Sequence, residues 1–251
     1  MQTALKVKPP VFILLCLAGF TASAQFDISK LELGADATTF IYQGDLTPKK
    51  IGSFKTITPG LGIYASHKLN DIFSLKTNLV LGSLKGDESR YPKPPYRQQR
   101  NLKFTTPVTE ISESIVWNIV PPGTKDGPRL TPYISAGVGY AFLHIKRDYS
   151  NFNLAYFGQE SVITAGLRAD TAHSLPKGIV GFPVSAGLRY SLTKNISLNL
   201  ATTYRFNSTD YLDGFSQSAN PSKKDHFFTN AIGVIYSFGE TNMIKCPKMK
   251  Y

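Results

Sequence analysis

The stretch that decides the fold is Phe182-Pro183-Val184-Ser185-Ala186-Gly187-Leu188-Arg189-Tyr190-Ser191-Leu192. Its even positions are Phe, Val, Ala, Leu, Tyr and Leu, and its odd positions are Pro, Ser, Gly, Arg and Ser. Side chains of a strand point alternately to its two faces, so this period of two makes one oily face and one polar face. After Thr193-Lys194-Asn195 the register resumes, with Ile196, Leu198, Leu200, Thr202, Tyr204 and Phe206 set against Ser197, Asn199, Ala201, Thr203 and Arg205. The pair predicts a hairpin of two long strands.

Working outward, the same alternation marks eight segments, at about 31–43, 57–69, 71–84, 104–119, 130–146, 179–193, 195–209 and 226–238. Each reaches the roughly 9–11 residues that a tilted strand needs to cross a bilayer, whereas strands of soluble proteins run nearer 5–6. Connections at 68–70, 120–129 and 193–194 are short, and those at 85–103, 147–178 and 210–225 are long. Short inner turns with long outer loops are the outer-membrane pattern. The expected fold class is therefore all-β, an eight-stranded antiparallel up-and-down transmembrane β-barrel.

Hydrocarbon offers no partner for a free N–H or C=O, so a membrane sheet must close on itself. Eight strands leave an interior that side chains can fill. The inward parity collects Asp36, Lys76, Glu110, Arg189 and Arg205, a nearly balanced polar network expected to pair across the lumen and leave no diffusion pore. The outward parity of the fourth strand collects Ile111, Ile115, Trp117 and Ile119, but also Glu113. A lipid-facing charge is costly, so either a bulge shifts the register there or Glu113 lies near a strand end. Aromatics near strand ends (Phe40 and Tyr42, Trp117, Tyr140 and Phe142, Tyr204 and Phe206, Tyr236 and Phe238) suit the interfacial girdles.

The chain has 251 residues, 42% hydrophobic and 18% charged, with two cysteines, which excludes collagen-like, disulfide-stapled and wholly disordered classes. Residues 1–24 read as a cleaved signal peptide: Lys6 and Lys8, an apolar run from Val11 to Phe20, then Ala22-Ser23-Ala24. Leu15 before Cys16 does not suit a lipobox. Loss of two lysines and no acid lowers the net charge from +11 by two, to +9, and leaves Cys246 alone. That thiol is either free or paired with another chain. An exported basic chain meets outer-membrane lipid and acidic protein surfaces rather than nucleic acid. The expected organisation is a barrel over 25–238 and a periplasmic tail over 239–251.

Outer-membrane barrels can be enzymes, but His67, His144, His173 and His226 fall on different segments, and neither G-x-S-x-G nor H-E-x-x-H occurs. Gly137-x-Gly139 lacks the third glycine and the helix of a dinucleotide site. Asp210, Asp213 and Asp225 offer oxygens for Ca²⁺, although aspartates in loops more often cap turns. Lys85, Arg90, Lys93, Arg97, Arg100 and Lys103 make the 85–103 loop basic, suited either to anionic lipid heads or simply to solvent. No catalytic residue, cofactor or metal is expected.

Several segments together resemble one family. Tyr42-x-Gly44-Asp45-Leu46, Leu102-x-Phe104 with Glu110, Pro132-Tyr133, and Tyr204-Arg205-Phe206-x-x-Thr209-Asp210-Tyr211-Leu212-Asp213 resemble an outer-membrane barrel family of Bacteroidota whose best-known members are the PorG-type components of the type IX secretion system. Where members commonly carry a further Asp, this chain has Gly214. Gly233, Tyr236 and Phe238 resemble the terminal signal read by the barrel assembly machinery, and Lys245-Cys246-Pro247-Lys248 resembles the ending of several members. The resemblance implies a non-enzymatic outer-membrane anchor or accessory subunit of a protein secretion assembly, with periplasmic ring proteins as partners and Cys246 as a possible link to one. The alternative is a stand-alone receptor or adhesin-like barrel that binds ligands through its outer loops.

Overall fold

The computed structural model describes residues 27–48, 52–120, 130–207, 209–219 and 224–239. The proposed signal peptide, Cys246 and nearly all of the tail lie outside these residues. Eight long strands form the wall: β1 (Leu31–Gln43), β2 (Thr58–Lys68), β3 (Phe73–Asp87), β4 (Lys103–Asn118), β5 (Leu130–Leu143), β7 (Gly178–Ser191), β8 (Ile196–Asn207) and β9 (His226–Ser237). A ninth, β6 (Lys146–Asp148), is three residues long and pairs with the outer end of β4. Neighbours along the chain pair antiparallel, and β1 pairs with β9 from Glu32↔Ser237 to Gln43↔His226. That last ladder closes the barrel.

The inner turns are held by side chains that stand in for strand partners. Asn70 Oδ1 accepts from the amides of Ile72 and Phe73 at 2.9 and 2.7 Å. Thr193 Oγ1 accepts from Asn195 and Ile196 at 3.2 and 2.9 Å. Such local side-chain acceptors satisfy amides that a tight turn would leave free. One ladder is interrupted: β5 and β7 pair at Ala136↔Val184 and again at Gly139↔Gly181, with nothing between. Pro183 sits in that gap and has no N–H to give.

Parity holds around the whole wall. Leu61, Ile63, Ile115, Leu188, Leu198, Leu200 and Ile232 are exposed on the outside, where lipid replaces water, while Arg189, Asn199 and Arg205 are buried inside. Trp117, Phe142, Phe206, Tyr236 and Phe238 point outward as girdle residues, and Tyr140–Phe142, Tyr204–Phe206 and Tyr236–Phe238 meet edge to face at 4.8–5.1 Å. Phe40 and Tyr42 do not belong to the girdle. Their even parity in β1 carries them inward, and both are buried at the outer mouth. Glu113 is outward without any bulge in β4, and the side-chain hydroxyl of Thr77 donates to it at 2.6 Å.

The lumen is filled in three tiers. At the inner end Arg189 and Lys68 contact the Glu32 carboxylate at 3.0 and 3.2 Å, and Ser237 donates to it at 2.9 Å. In the middle Asn199 donates to Asp36 at 3.2 Å and accepts from Tyr133, while Lys76 lies 5.1 Å from the Tyr64 ring centroid. Toward the outer end Arg205 donates to Glu110 at 2.7 Å and to Thr229 at 2.9 Å, with its guanidinium 4.9 Å from the Phe227 ring centroid. The five inward residues expected from the sequence are all there, but Arg189 pairs with Glu32, which shares the inward parity of Asp36 and was missed. A cavity of about 10 Å³ between Tyr64, Lys76, Tyr133 and Arg189 has room for about one water.

Breaking a buried pair on one side leaves a bare charge, which costs about 3–5 kcal/mol, while replacing both members is far milder. Arg205→Met should therefore weaken the barrel by about that amount in urea unfolding from lipid vesicles. Arg205→Met with Glu110→Leu should recover most of the loss. Equal losses in the single and double variants would show that the pair does not carry this tier.

Candidate functional site: the outer cap

Four outer loops rise from the wall, one more than the spacing of the sequence suggested, because 44–57 also connects strands at this end. The second holds α1 (Tyr96–Arg100), and the third holds α2 (Leu154–Phe157) and α3 (Val162–Ala172). Asn153 and Ser161 begin the latter two, their side chains accepting from Tyr156 and Thr164 amides as N-caps. Beneath the loops Phe40, Tyr42, Leu46, Leu84, Leu102, Phe104, Leu167, Leu212, Phe215 and Phe227 pack as one apolar core. The barrel mouth is filled by this core.

Polar contacts lace the loops above it. Glu88, fully buried, receives Arg97 at 3.0 Å and Arg100 at 2.5 and 2.9 Å. Arg97 also donates to the carbonyls of Asp45 and Thr47 in the first loop, and Arg100 to that of Ser218 in the fourth. Two of the six cations expected to face lipid heads or solvent are thus turned inward. The Glu88 carboxylate holds Arg100 above its ordinary range against the opposing effect of burial. Asp170, near the end of α3, accepts from the amides of Ser216, Gln217 and Ser218 and from the Ser218 hydroxyl, all within 3.1 Å. Arg147 donates to carbonyls of Asp170, Thr171 and Gly214. Neither Glu88 nor Asp170 was legible as a cap residue, because their partners stand between 9 and 48 positions away in sequence.

The block Thr209 to Asp213 lies in this lacework. Tyr211 stacks on His173 with ring centroids 4.2 Å apart, Leu212 is in the core, and the Leu212 carbonyl accepts from Thr106 at 2.8 Å. Asp213 accepts from the Phe215 amide, and Asp225 from the amides of Leu212 and Asp213. These aspartates therefore hold turns. Among the described residues no three His, Cys, Asp or Glu side chains converge as metal ligands. Gly214 has φ +83°, and a Cβ there would come within 2.6 Å of the Arg147 side chain. A glycine at this position lets Arg147 cross the loop. Gly233 is tight for another reason: a Cβ would strike the Ala35 carbonyl and Asp36 on the neighbouring strand.

The Tyr42 hydroxyl lies 2.6 Å from both Asp213 and Asp225. It has one proton to donate, so one of the two carboxyl groups must supply the other. Burial, reinforced at Asp225 by the Asp213 charge, raises both acids well above the ordinary carboxylate range. Burial likewise pushes Asp210 up to about 6, with the Ser216 hydroxyl opposing and the Asp170 charge assisting.

The family described as the outer membrane protein beta-barrel domain matches residues 12–238. The chain belongs to that family. It is an outer-membrane barrel of eight strands. No curated protein sequence matches it. Among solved structures it is similar to Neisserial surface protein A, with 17% identity over 83% of this chain and 97% of that one and a TM-score of 0.47. It is also similar to OprG of Pseudomonas aeruginosa (12%, 85% and 100%, 0.47) and to Ail of Yersinia pestis in complex with the heparin analogue sucrose octasulfate (12%, 82% and 96%, 0.44). These likenesses are of fold.

The raised acids set the pH behaviour of the cap. A group whose folded value exceeds its open-loop value stabilises the closed form fully below the lower value, and that stability fades as pH rises through the upper one. For Asp210 the window runs from its ordinary 3.8 to about 6. Hydrogen exchange across 209–219, corrected for the intrinsic rate, should show easier local opening as pH rises from 4 to 7. Asp210→Asn should flatten the part of that rise near 6. Protection that stays constant or increases over this range would contradict the assignment.

Proposed function

We propose that this barrel is a non-enzymatic anchor or accessory subunit of a protein secretion assembly of the type IX kind. One observation carries the reading. The block most specific to the PorG-type resemblance, Thr209 to Asp213, meets another segment that carries it, Tyr42 to Leu46, in the cap, through the Tyr42–Asp213 bond and the shared burial of Leu46 and Leu212. The filled lumen and the interlocked cap of the described residues support a reading in which the work falls to the surfaces. Two of the histidines have packing roles: His173 stacks on Tyr211, and His226 lies beside Tyr204 and Phe206.

On this reading the inner turns and the 239–251 tail face a periplasmic ring protein, Gly233, Tyr236 and Phe238 engage the barrel assembly machinery, and Cys246 is available for a mixed disulfide in an oxidising compartment. A second reading is favoured by one feature. Tyr149, Leu154, Tyr156 and Val162 are exposed on the third loop, as a receptor or adhesin surface would require.

Deletion of 239–251 discriminates between the two. The anchor reading expects the barrel to assemble and keep its heat stability while recovery of periplasmic partners in mild detergent and export of secreted cargo both fall. Cys246→Ser should abolish any reducible higher-mass species on a non-reducing gel. Unchanged recovery and export without the tail, together with loss of function on trimming 149–163, would transfer the role to the outer loop.

A further inference from the structure

Of the six cations between 85 and 103, the fold gives four a partner. Arg97 and Arg100 turn inward onto Glu88. Arg90 pairs with Asp87 at 3.4 Å, and Lys103 stands in the ladders between Asp87 on β3 and Asp148 on β6. Lys93 is exposed on the loop. Lys85 is placed differently, on the lipid-facing parity of β3 opposite Thr105, and on the far side of Thr105 stands Lys146 of the three-residue strand β6. Neighbouring strands lie about 4.8 Å apart, so the two lysine stems rise about 10 Å from each other with one hydroxyl between them. Among the described residues neither lysine makes an ion pair.

The ladders also fix the level of this row. Leu81 and Phe142, joined through Thr109, belong to the outer end of the apolar band. Lys85 lies four residues beyond Leu81 on β3, and Lys146 four beyond Phe142. Four residues of a strand tilted by about 45° span roughly 9 Å along the membrane normal, which brings both ammonium groups to the headgroup layer. Asp87 and Asp148 are two residues further out on the same parity. The unpaired cations are therefore nearest the lipid, and the acids are set beyond them.

A second feature lies beside this row. Phe54 and Ile57, just before β2, are 68% and 40% exposed, and the Lys55 ammonium donates to the Arg90 carbonyl at 3.0 Å, which holds them near the outer end of β3. Open apolar side chains next to a cationic row suit the boundary between headgroups and acyl chains. We propose that Lys85 and Lys146, with Thr105 between them, bind the phosphate of an outer-leaflet lipid headgroup. The two ammonium groups converge on the phosphate oxygens through charge-assisted bonds, the Thr105 hydroxyl donates to a further oxygen, and the acyl chains descend over Leu81 and Phe142. Strand β6 then serves both faces of the wall: Arg147 ties the cap on the inside, and Lys146 completes the lipid site on the outside.

Native mass spectrometry of the intact protein in neutral-detergent micelles, titrated with dioleoyl phosphatidic acid or with dioleoyl phosphatidylcholine, tests the site. Phosphatidic acid should be retained more tightly than phosphatidylcholine, and its advantage should shrink as salt rises. Lys85→Gln combined with Lys146→Gln should keep a folded, heat-modifiable barrel but weaken retention of phosphatidic acid at least about tenfold. Lys30→Gln combined with Lys194→Gln, at the inner end, should retain it as the parent does. Equal retention of the two lipids overturns the proposal, as does an outer-pair variant that holds phosphatidic acid as tightly as the parent, or equal losses from the outer and inner pairs. Displacement of the lipid by an equimolar amount of inorganic phosphate would overturn it as well, since the site would then take a free ion in place of a headgroup.

Discussion

Every backbone amide that enters hydrocarbon must be bonded within the protein, and from that constraint the rest of the molecule follows. It forces β1 to return to β9, so that the residues flanking Glu32 and Ser237 end the chain's path on the same side as the short turns. Closure in turn fixes parity around the ring: once one strand faces its leucines to lipid, no neighbour can slip by a single residue without turning all its polar groups outward. The charges of the lumen are a consequence of that parity, and their pairing into Glu32–Arg189 and Glu110–Arg205 is what makes a narrow interior full of ions stable.

The strands were legible because alternation is a local signal, readable over ten residues, and the ends moved by only a few positions. Long-range partners were legible only where parity exposed them. Arg189 and Arg205 could be placed inside by their positions, but which acid each would meet depends on the stagger between strands that are not neighbours in sequence. Phe40 and Tyr42 were misplaced because nearness to a strand end suggested a girdle, when their parity pointed inward. Arg97 and Arg100 looked like a solvated basic run, since nothing in the local sequence shows that Glu88 will be buried between them. Gly214 has a meaning that only the folded loop shows, since its missing side chain leaves room for Arg147 to cross.

The cap gives these residues a common purpose. Arginines on the second and third loops bond backbone carbonyls of other loops, and Asp170 gathers the amides of 216–218, so each loop is positioned by at least one other. An apolar core then fills the space between cap and lumen. The sealed centre is thus distinct from the surfaces presented to either side of the membrane, and residues 42–46 and 209–213 belong to the seal.

The interior is closed twice, by the ion-paired lumen and by the cap above it. Single-channel recording of the protein reconstituted in planar bilayers tests it most directly. The account predicts no steady conductance at neutral pH, apart from rare, brief openings. A stable, porin-like open level from the native protein would contradict it.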